Sequence, residues 1–260
     1  MGLIAGAEPS RDAQQLARRL DLALLPREPE NAQATDIGLF ADDSGFTLRL
    51  LDAGRFGPVR VSFDDPALRH RRRGGQNELI GRAIGWRADR SPAVLDATAG
   101  FGRDAFTLAD LGCQVLLCER QPVMAALLEN ALADARRSGG WAAEVVSRMQ
   151  LYEGDARELP PPRLGGIDVI YLDPMFKAPR RGLPSKDMQL LQILTEASPG
   201  IPLTESDDAA TLAWALDQPV SRVVAKRPRK ASPLPGDAPG YAIRGSSVRF
   251  DVYPRAKVAP

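Results

Sequence analysis

With one histidine, two cysteines and a formal net charge of +1, the sequence leaves little room for several common functions. Cys113 and Cys118 flank a short apolar run and have no histidine neighbour or second cysteine pair. They read as buried free thiols rather than zinc ligands or a disulfide, and no metal is expected. His70 has no evident partner and is not assigned as a catalytic base. The near-zero net charge does not by itself predict a polyanionic partner, so the local distribution of charge has to carry that question. No apolar run approaches the ~20 residues of a membrane span, and Met1 to Ala7 is too short and uncharged for a secretory signal. A cytoplasmic protein is expected.

What is present is enough for a sizeable core. The chain has 260 residues, 44% of them hydrophobic and 26% charged, which suits one α/β domain with an appendage. Apolar residues fall at helical intervals from Arg11 to Leu25, ahead of the break at Pro26 to Pro29. "GFTLRLLD" and "GPVRVSFDD" alternate as strands do, joined at Gly54 to Gly57, and predict a small β-rich N-terminal subdomain over residues 1–66. Beyond it, over 67–260, a basic glycine-bearing stretch runs into a helical pattern from Glu78. Strand and helix then alternate: "AVLDAT", a helix near Arg103 to Leu111, "CQVLLCE", a helix near Pro122 to Arg137, then "MQLYEGD", "IDVIYLD" and "VSRVVAKRP". Strands joined by helical crossovers predict a mostly parallel sheet covered on both faces. "AIRGSSVRFDVY" predicts a closing C-terminal antiparallel hairpin around Gly245 to Ser247.

The first functional signal is "VLDATAGFGRDAF", a strand, a glycine turn and a helix. Gly100 and Gly102 remove side chains where the backbone turns or nears a ligand, and the helix end behind them is electropositive. Such a turn can be purely structural. Glu119, however, lies nineteen residues after Gly100 at the end of the next strand, where a carboxylate can hold both hydroxyls of a ribose. A nicotinamide dinucleotide and S-adenosylmethionine compete for this arrangement. Asp96, just before the glycines, would repel a pyrophosphate but can orient a cationic amino acid end, so electrostatics favours S-adenosylmethionine as cofactor. Asp155, with Ala156 beside it, is placed to meet the adenine edge or is an ordinary strand-end acid. Asp104 and Arg120 sit beside the two binding turns, where a helix cap and a surface cation are the ordinary roles.

The second signal is "YLDPMF" at the end of the fourth parallel strand, the edge where ligands of open α/β sheets collect. An aspartate followed by proline can simply start a turn. Alternatively Asp173 and the Pro174 carbonyl accept the hydrogens of an exocyclic base amine while Phe176 stacks on the base. The departing proton goes to Asp173 or to water; the sequence leaves both open.

"HRRRGGQNELIGRAIG", "LDATAGFGRDAFTLADLGCQVLLCERQPVMAALLENAL", "VIYLDPMF", "RVVAKRP" and "RFDVY" together resemble the bacterial 16S ribosomal RNA guanine-N2 methyltransferases called ribosomal small subunit methyltransferase J. The resemblance spans roughly residues 70 to 253 and is most specific where "DATAGFGRDAF" joins "ERQPVMAALL". It implies a Rossmann-like class I S-adenosylmethionine-dependent methyltransferase fold. It also implies cofactor contacts at Arg103 with Asp104, Glu119 with Arg120, Asp155 with Ala156, and Asp173, and methylation of one guanine of the small-subunit RNA. Two features depart from the family pattern. The motif after Phe176 reads "KAPRRGLPSKDM" where the family commonly has Pro-His and a lysine-rich run, and Asp155 and Ala156 stand where small hydroxyl residues are frequent.

Three basic groups are candidates for RNA phosphate contacts: Arg71, Arg72 and Arg73; Lys177, Arg180 and Arg181; and Lys226 with Arg227. For the last pair the alternative is that they hold the fold together. Rival functions are a methyltransferase acting on another planar amine (a DNA base, a protein glutamine or a small molecule), a non-catalytic module that binds S-adenosylmethionine and RNA, and a nicotinamide dehydrogenase. The expected partner is 16S rRNA or the small ribosomal subunit, with neither a membrane nor an obligate protein partner.

Overall fold

The computed structural model describes residues 2–29, 37–42, 45–51, 58–64, 68, 77–174, 194 and 205–255. These fall into two compact units that are not successive stretches of chain. The described residues of Met1–Val61, Gln121–Ala131 and Phe176–Pro202 form one; those of Ser62–Arg120, Leu132–Met175 and Leu203–Pro260 form the other.

The first unit holds a four-stranded sheet of order β2-β1-β3-β4, with β1 Gly2–Ile4, β2 Ala23–Leu25, β3 Ile37–Asp42 and β4 Gly45–Leu50. β1 runs parallel to β2 and β3, while β4 closes an antiparallel pair with β3. Helix α1 (Arg11–Arg19) starts at Ser10, whose hydroxyl accepts from the Ala13 amide at 3.2 Å, and it buries Ala13, Leu16 and Ala17 on one face. It ends well short of Leu25. Asp21 adopts φ 51, and the amides of Leu22 and Asp21 bond back to the carbonyls of Ala17 and Arg18. This is the left-handed termination usually given to glycine, and it releases Ala23–Leu25 into a strand. The helical spacing continues through that strand only because three apolar residues in a row fit either period. "GPVRVSFDD" contributes an isolated bridge, Val59 to Leu48, rather than a regular strand among the described residues, and Gly54 to Gly57 lie outside them.

The second unit is built on a seven-stranded sheet of order β10-β11-β9-β8-β5-β6-β7. In chain order its elements are α2 (Asn77–Ile84), β5 (Val94–Asp96), α3 (Arg103–Asp110), β6 (Val115–Glu119), α4 (Pro122–Ser138), α5 (Gly140–Val146), β7 (Met149–Glu153), a short α6 (Pro161–Leu164), β8 (Val169–Leu172), α7 (Glu205–Asp217), β9 (Arg222–Pro228), β10 (Tyr241–Arg244) and β11 (Val248–Pro254). α4 is continuous, although its residues through Ala131 belong to the first unit. β5 to β9 are parallel, and β11 runs antiparallel to both β9 and β10, as the alternation of the sequence predicts. Every residue of β5, β6 and β8 is buried, the mark of strands covered on both faces. On one cover Phe63 stacks on Phe106 at 5.1 Å, and Trp141 meets Phe106 edge-on at 5.2 Å, an arrangement worth about 1 kcal/mol beyond the area buried. Cys113 and Cys118 are free and buried; burial pushes the Cys113 thiol up to about 12.

Strand order locates the site. From β5 the chain steps outward to β6 and β7, then returns to place β8 and β9 on the other side of β5. The carboxyl ends of β5 and β8 therefore flank the point where the winding reverses, and a crevice opens there in folds of this kind.

Candidate active site

The turn that leaves β5 is tied to both neighbouring strands. The Ala97 amide donates to the Tyr171 carbonyl of β8 at 3.0 Å, and the Ala99 amide to the Cys118 carbonyl of β6 at 3.0 Å. The Gly100 amide donates to Glu119 Oε2 at 2.8 Å. Gly100 and Gly102 take φ 52 and 68, values that disfavour any residue with a Cβ, and Gly102 opens α3 with no side-chain cap. Around the Gly100 Cα the nearest atom a side chain would meet is the Thr98 carbonyl at 3.9 Å, so this stretch of backbone borders open space. Glu119 holds the far side of the turn, as its spacing from Gly100 suggests.

Asp96, expected to orient a cationic amino acid end by its negative charge, is buried. It is 2% exposed and its Oδ1 accepts from the Thr98 amide at 3.1 Å. Burial, with further repulsion from Asp104, Asp173 and Glu119, outweighs that amide and raises its pKa to about 8. Burial thus favours the protonated carboxyl, which braces the turn from within through the Thr98 amide. A raised native pKa favours the folded state below the unfolded value and loses that advantage as pH rises toward 8. Asp96→Asn keeps an acceptor for Thr98 and cannot ionise. Thermal melts should show it gaining on the wild type from pH 5 to pH 8.5, by on the order of 4 kcal/mol. A constant difference across that range would mean that Asp96 is ionised in the native protein.

At the β8 end, the Asp173 amide donates to Thr98 Oγ1 at 2.6 Å, fastening this strand end to the glycine turn. Lys226, on β9, places Nζ 2.8 Å from Asp173 Oδ2 and 2.6 Å from Asp104 Oδ2, and the Tyr171 hydroxyl donates to the same Asp104 oxygen at 2.7 Å. Burial works against the Lys226 charge, but the two carboxylates outweigh it and hold the ammonium protonated. For Asp173, burial pushes the pKa up, Lys226 pulls it down and Asp104 pushes it up again, leaving it raised to about 6. Pro174 follows directly and is partly exposed.

A second cluster lies past β6 and β7. Asp155 starts a short turn over Ala156–Glu158 and accepts from the Arg157 amide and Nε, both at 2.9 Å. Arg120 lies 3.6 Å from Asp155 and 2.7 Å from Asp207 of α7, and Arg157 lies 3.0 Å from Asp207. Two cations and two anions therefore alternate in a closed ring. Burial pushes the Asp155 carboxyl up, but Arg157 and Arg120 outweigh it and hold it below the ordinary range. Ala156 is buried. Arg103 sits over the Phe101 ring at 5.4 Å.

The structure thus gathers Asp96, Gly100, Gly102, Arg103, Asp104, Glu119, Arg120, Asp155, Ala156, Asp173 and Pro174 along one edge of the sheet. It corrects the reading of Lys226 and Arg227 as phosphate contacts. Lys226 is engaged by Asp104 and Asp173; Arg227 is 7% exposed and its Nε donates to the Ser232 carbonyl at 2.9 Å. Both side chains thus spend their charge or donors on partners within the unit. Thr98, Tyr171, Arg157 and Asp207 were not singled out from the sequence. "GDAR" offers a local hint of the Asp155–Arg157 pair, but the others meet across long stretches of chain. Phe176, Arg71, Arg72, Arg73, Lys177, Arg180 and Arg181 lie outside the described residues.

A parallel sheet that presents a glycine turn, a ribose-spaced glutamate and an Asp-Pro step at its switch point defines the S-adenosylmethionine-dependent methyltransferases. Residues 16–255 match the family model described as putative SAM-dependent methyltransferase. A solved SAM-dependent methyltransferase from Neisseria gonorrhoeae superposes with a TM-score of 0.74 at 31% identity, over 98% of this chain and 96% of that one. Among curated proteins, ribosomal RNA small subunit methyltransferase J of Stutzerimonas stutzeri is 42% identical, over 95% of this chain and 92% of its own length. The protein of that name from Pseudomonas aeruginosa is 41% identical, over 96% and 92%. The chain belongs to the ribosomal RNA small subunit methyltransferase J family. Its cofactor is S-adenosylmethionine, and the open backbone at Gly100 with the carboxylate of Glu119 beside it fits that nucleoside.

Proposed function

We propose that this protein methylates the exocyclic N2 amine of one guanine in 16S ribosomal RNA. The observation that carries the reading is Asp173: a carboxylate at the end of β8, followed by Pro174 and pinned to the cofactor turn through Thr98 at 2.6 Å. The names of the relatives at 41 and 42% identity support small-subunit RNA as the substrate class. Such a substrate also places the protein in the cytoplasm.

S-adenosylmethionine, when bound, would supply a methyl group already activated by the positive sulfur, whose bond to sulfur breaks as the bond to the amine nitrogen forms, with S-adenosylhomocysteine as the neutral leaving group. The protein's work is alignment. Glu119 and Arg120 hold the ribose side, Arg103 and Asp104 the amino acid end, and Asp155 with Ala156 the adenine. Asp173 and the Pro174 carbonyl accept the amine hydrogens. A base amine is a poor nucleophile because its lone pair is delocalised into the ring, and acceptors on its hydrogens favour the geometry in which that pair points at the methyl. Phe176 stacks on the base, while Arg71, Arg72, Arg73, Lys177, Arg180 and Arg181 attract the surrounding phosphates. The proton leaves the nitrogen as the new bond forms and passes to water.

Labelled methyl transfer to small ribosomal subunits that carry no such modification, followed by nucleoside mass spectrometry, tests the reading. N2-methylguanosine at a single position is expected. Label on another base, or on ribosomal protein alone, refutes it.

A further inference from the structure

We infer that Lys226 is a positioning residue of the methyl-transfer site, holding one oxygen of Asp173 so that this carboxylate remains an acceptor aimed at the incoming amine. The inference rests on the function proposed above and adds to it a residue that touches neither substrate nor cofactor.

The argument begins with an unfavourable juxtaposition. Asp104, the second residue of α3, and Asp173, just past β8, each bring an Oδ2 to within hydrogen-bond reach of one nitrogen. Without a cation between them, two such carboxylates repel, and one takes up a proton near neutrality. A protonated Asp173 would lose acceptor capacity and present an O–H donor to a donor amine. Lys226 prevents this from the neighbouring strand: β9 pairs in parallel with β8, which sets Ala225 opposite Leu172 and Lys226 one step further toward the carboxyl edge.

Among the described residues, the charged and titratable groups around Asp173 come from four elements. Lys226 on β9 attracts; Asp104 on α3 repels; Tyr171 on β8 is tied to Asp104 as a neutral donor; Asp96 on β5 adds repulsion when ionised. Lys226 supplies the cation that draws Asp173 downward, and it does so from a side chain only 23% exposed, where screening by solvent is weak.

The test compares Lys226→Gln and Lys226→Arg with the wild type for methyl transfer to small subunits at saturating cofactor between pH 6 and 9, with thermal melts alongside. Lys226→Gln should lose on the order of tenfold in kcat at pH 7 and recover most of it by pH 9, because the acid limb of its profile moves up by about two units. Lys226→Arg, which keeps the charge, should keep the acid limb where the wild type has it. An even loss across the whole range in Lys226→Gln, or a profile that overlays the wild type, overturns the inference. If Lys226→Gln does not fold, Lys226→Met replaces it. If neither folds, titration of carbon-13-labelled aspartate in the wild type decides: Asp173 should ionise near pH 6, and a group still protonated at pH 8 overturns the inference. If the wild type methylates no RNA at all, the proposed function fails. The inference then stands or falls by the same titration in wild type and variant: an upward move of Asp173 supports it and an unmoved Asp173 overturns it.

Discussion

Asp173→Ala lowers kcat for methyl transfer at least a hundredfold, with a melting temperature close to that of the wild type. The reasoning starts with what the substitution leaves in place. Asp173 fastens the end of β8 to the glycine turn through its backbone amide, which donates to Thr98 whatever the side chain is. Lys226 keeps its 2.6 Å contact to Asp104, so no buried cation is orphaned, and the Asp104–Asp173 repulsion disappears. The fold therefore loses little. The chemistry loses its one ionised acceptor at the strand end, and removing a single group of this kind typically costs a factor of about 10² to 10³. Asp173→Asn separates charge from shape. Its amide oxygen can still accept from Lys226, but its amino group offers donors where the substrate amine also donates, so it should be no better than alanine. Single-turnover transfer at saturating cofactor is the measurement. Turnover within tenfold of wild type in both variants removes Asp173 from the mechanism.

The parallel sheet was readable because each buried strand announces itself locally: "VIYL" and "VLLCE" are continuous apolar runs, and crossover helices separate them, whereas the strand order comes only from the fold. The Arg11–Leu25 stretch was misleading for a local reason too. Nothing in its composition marks Asp21 as the residue that takes glycine's conformation, so the pattern continues past the true helix end. The glycine turn and the glutamate ending the next strand were legible from their spacing; that the Glu119 carboxylate bonds the Gly100 amide was not. The charge network was not. Lys226 meets Asp104 across 122 residues and Asp173 across 53, and its place in a basic run makes it look like its neighbours, which are surface candidates. Only the parallel register of β9 on β8 turns that one lysine into the site. The ionisation of Asp96, at the end of β5, was not legible, because it depends on how completely the strands around it exclude water.

Glu119→Ala should weaken binding of S-adenosylmethionine and of S-adenosylhomocysteine by the same factor, roughly 10- to 100-fold, and this effect is the counterpart of the Asp173 result. Glu119 ends β6 with 9% exposure, and its Oε2 accepts from the Gly100 amide. A carboxylate in that position serves two purposes: it satisfies an amide of the turn, and it offers charge-assisted acceptance to the ribose hydroxyls, worth in total about 1.5–3 kcal/mol. Alanine removes both. Because the ribose is common to the two nucleosides, the loss should not distinguish the methylated sulfur from the thioether, whereas a residue acting on the sulfur or the amino acid end has no reason to treat them alike. Glu119→Gln retains an acceptor for Gly100 but has one amide oxygen where the carboxylate has two, so it should fall between alanine and wild type. Isothermal titration with both nucleosides gives the affinities, and kcat at saturating cofactor should stay within a few-fold of wild type in Glu119→Gln. A collapse of kcat with unchanged affinity would instead place Glu119 at the reacting centre. Under the proposed function the opposite behaviours of Asp173 and Glu119, one felt in turnover and the other in affinity, follow from their strands: β8 then carries the acceptor for the amine and β6 the acceptor for the ribose, with β5 and its glycine turn between them.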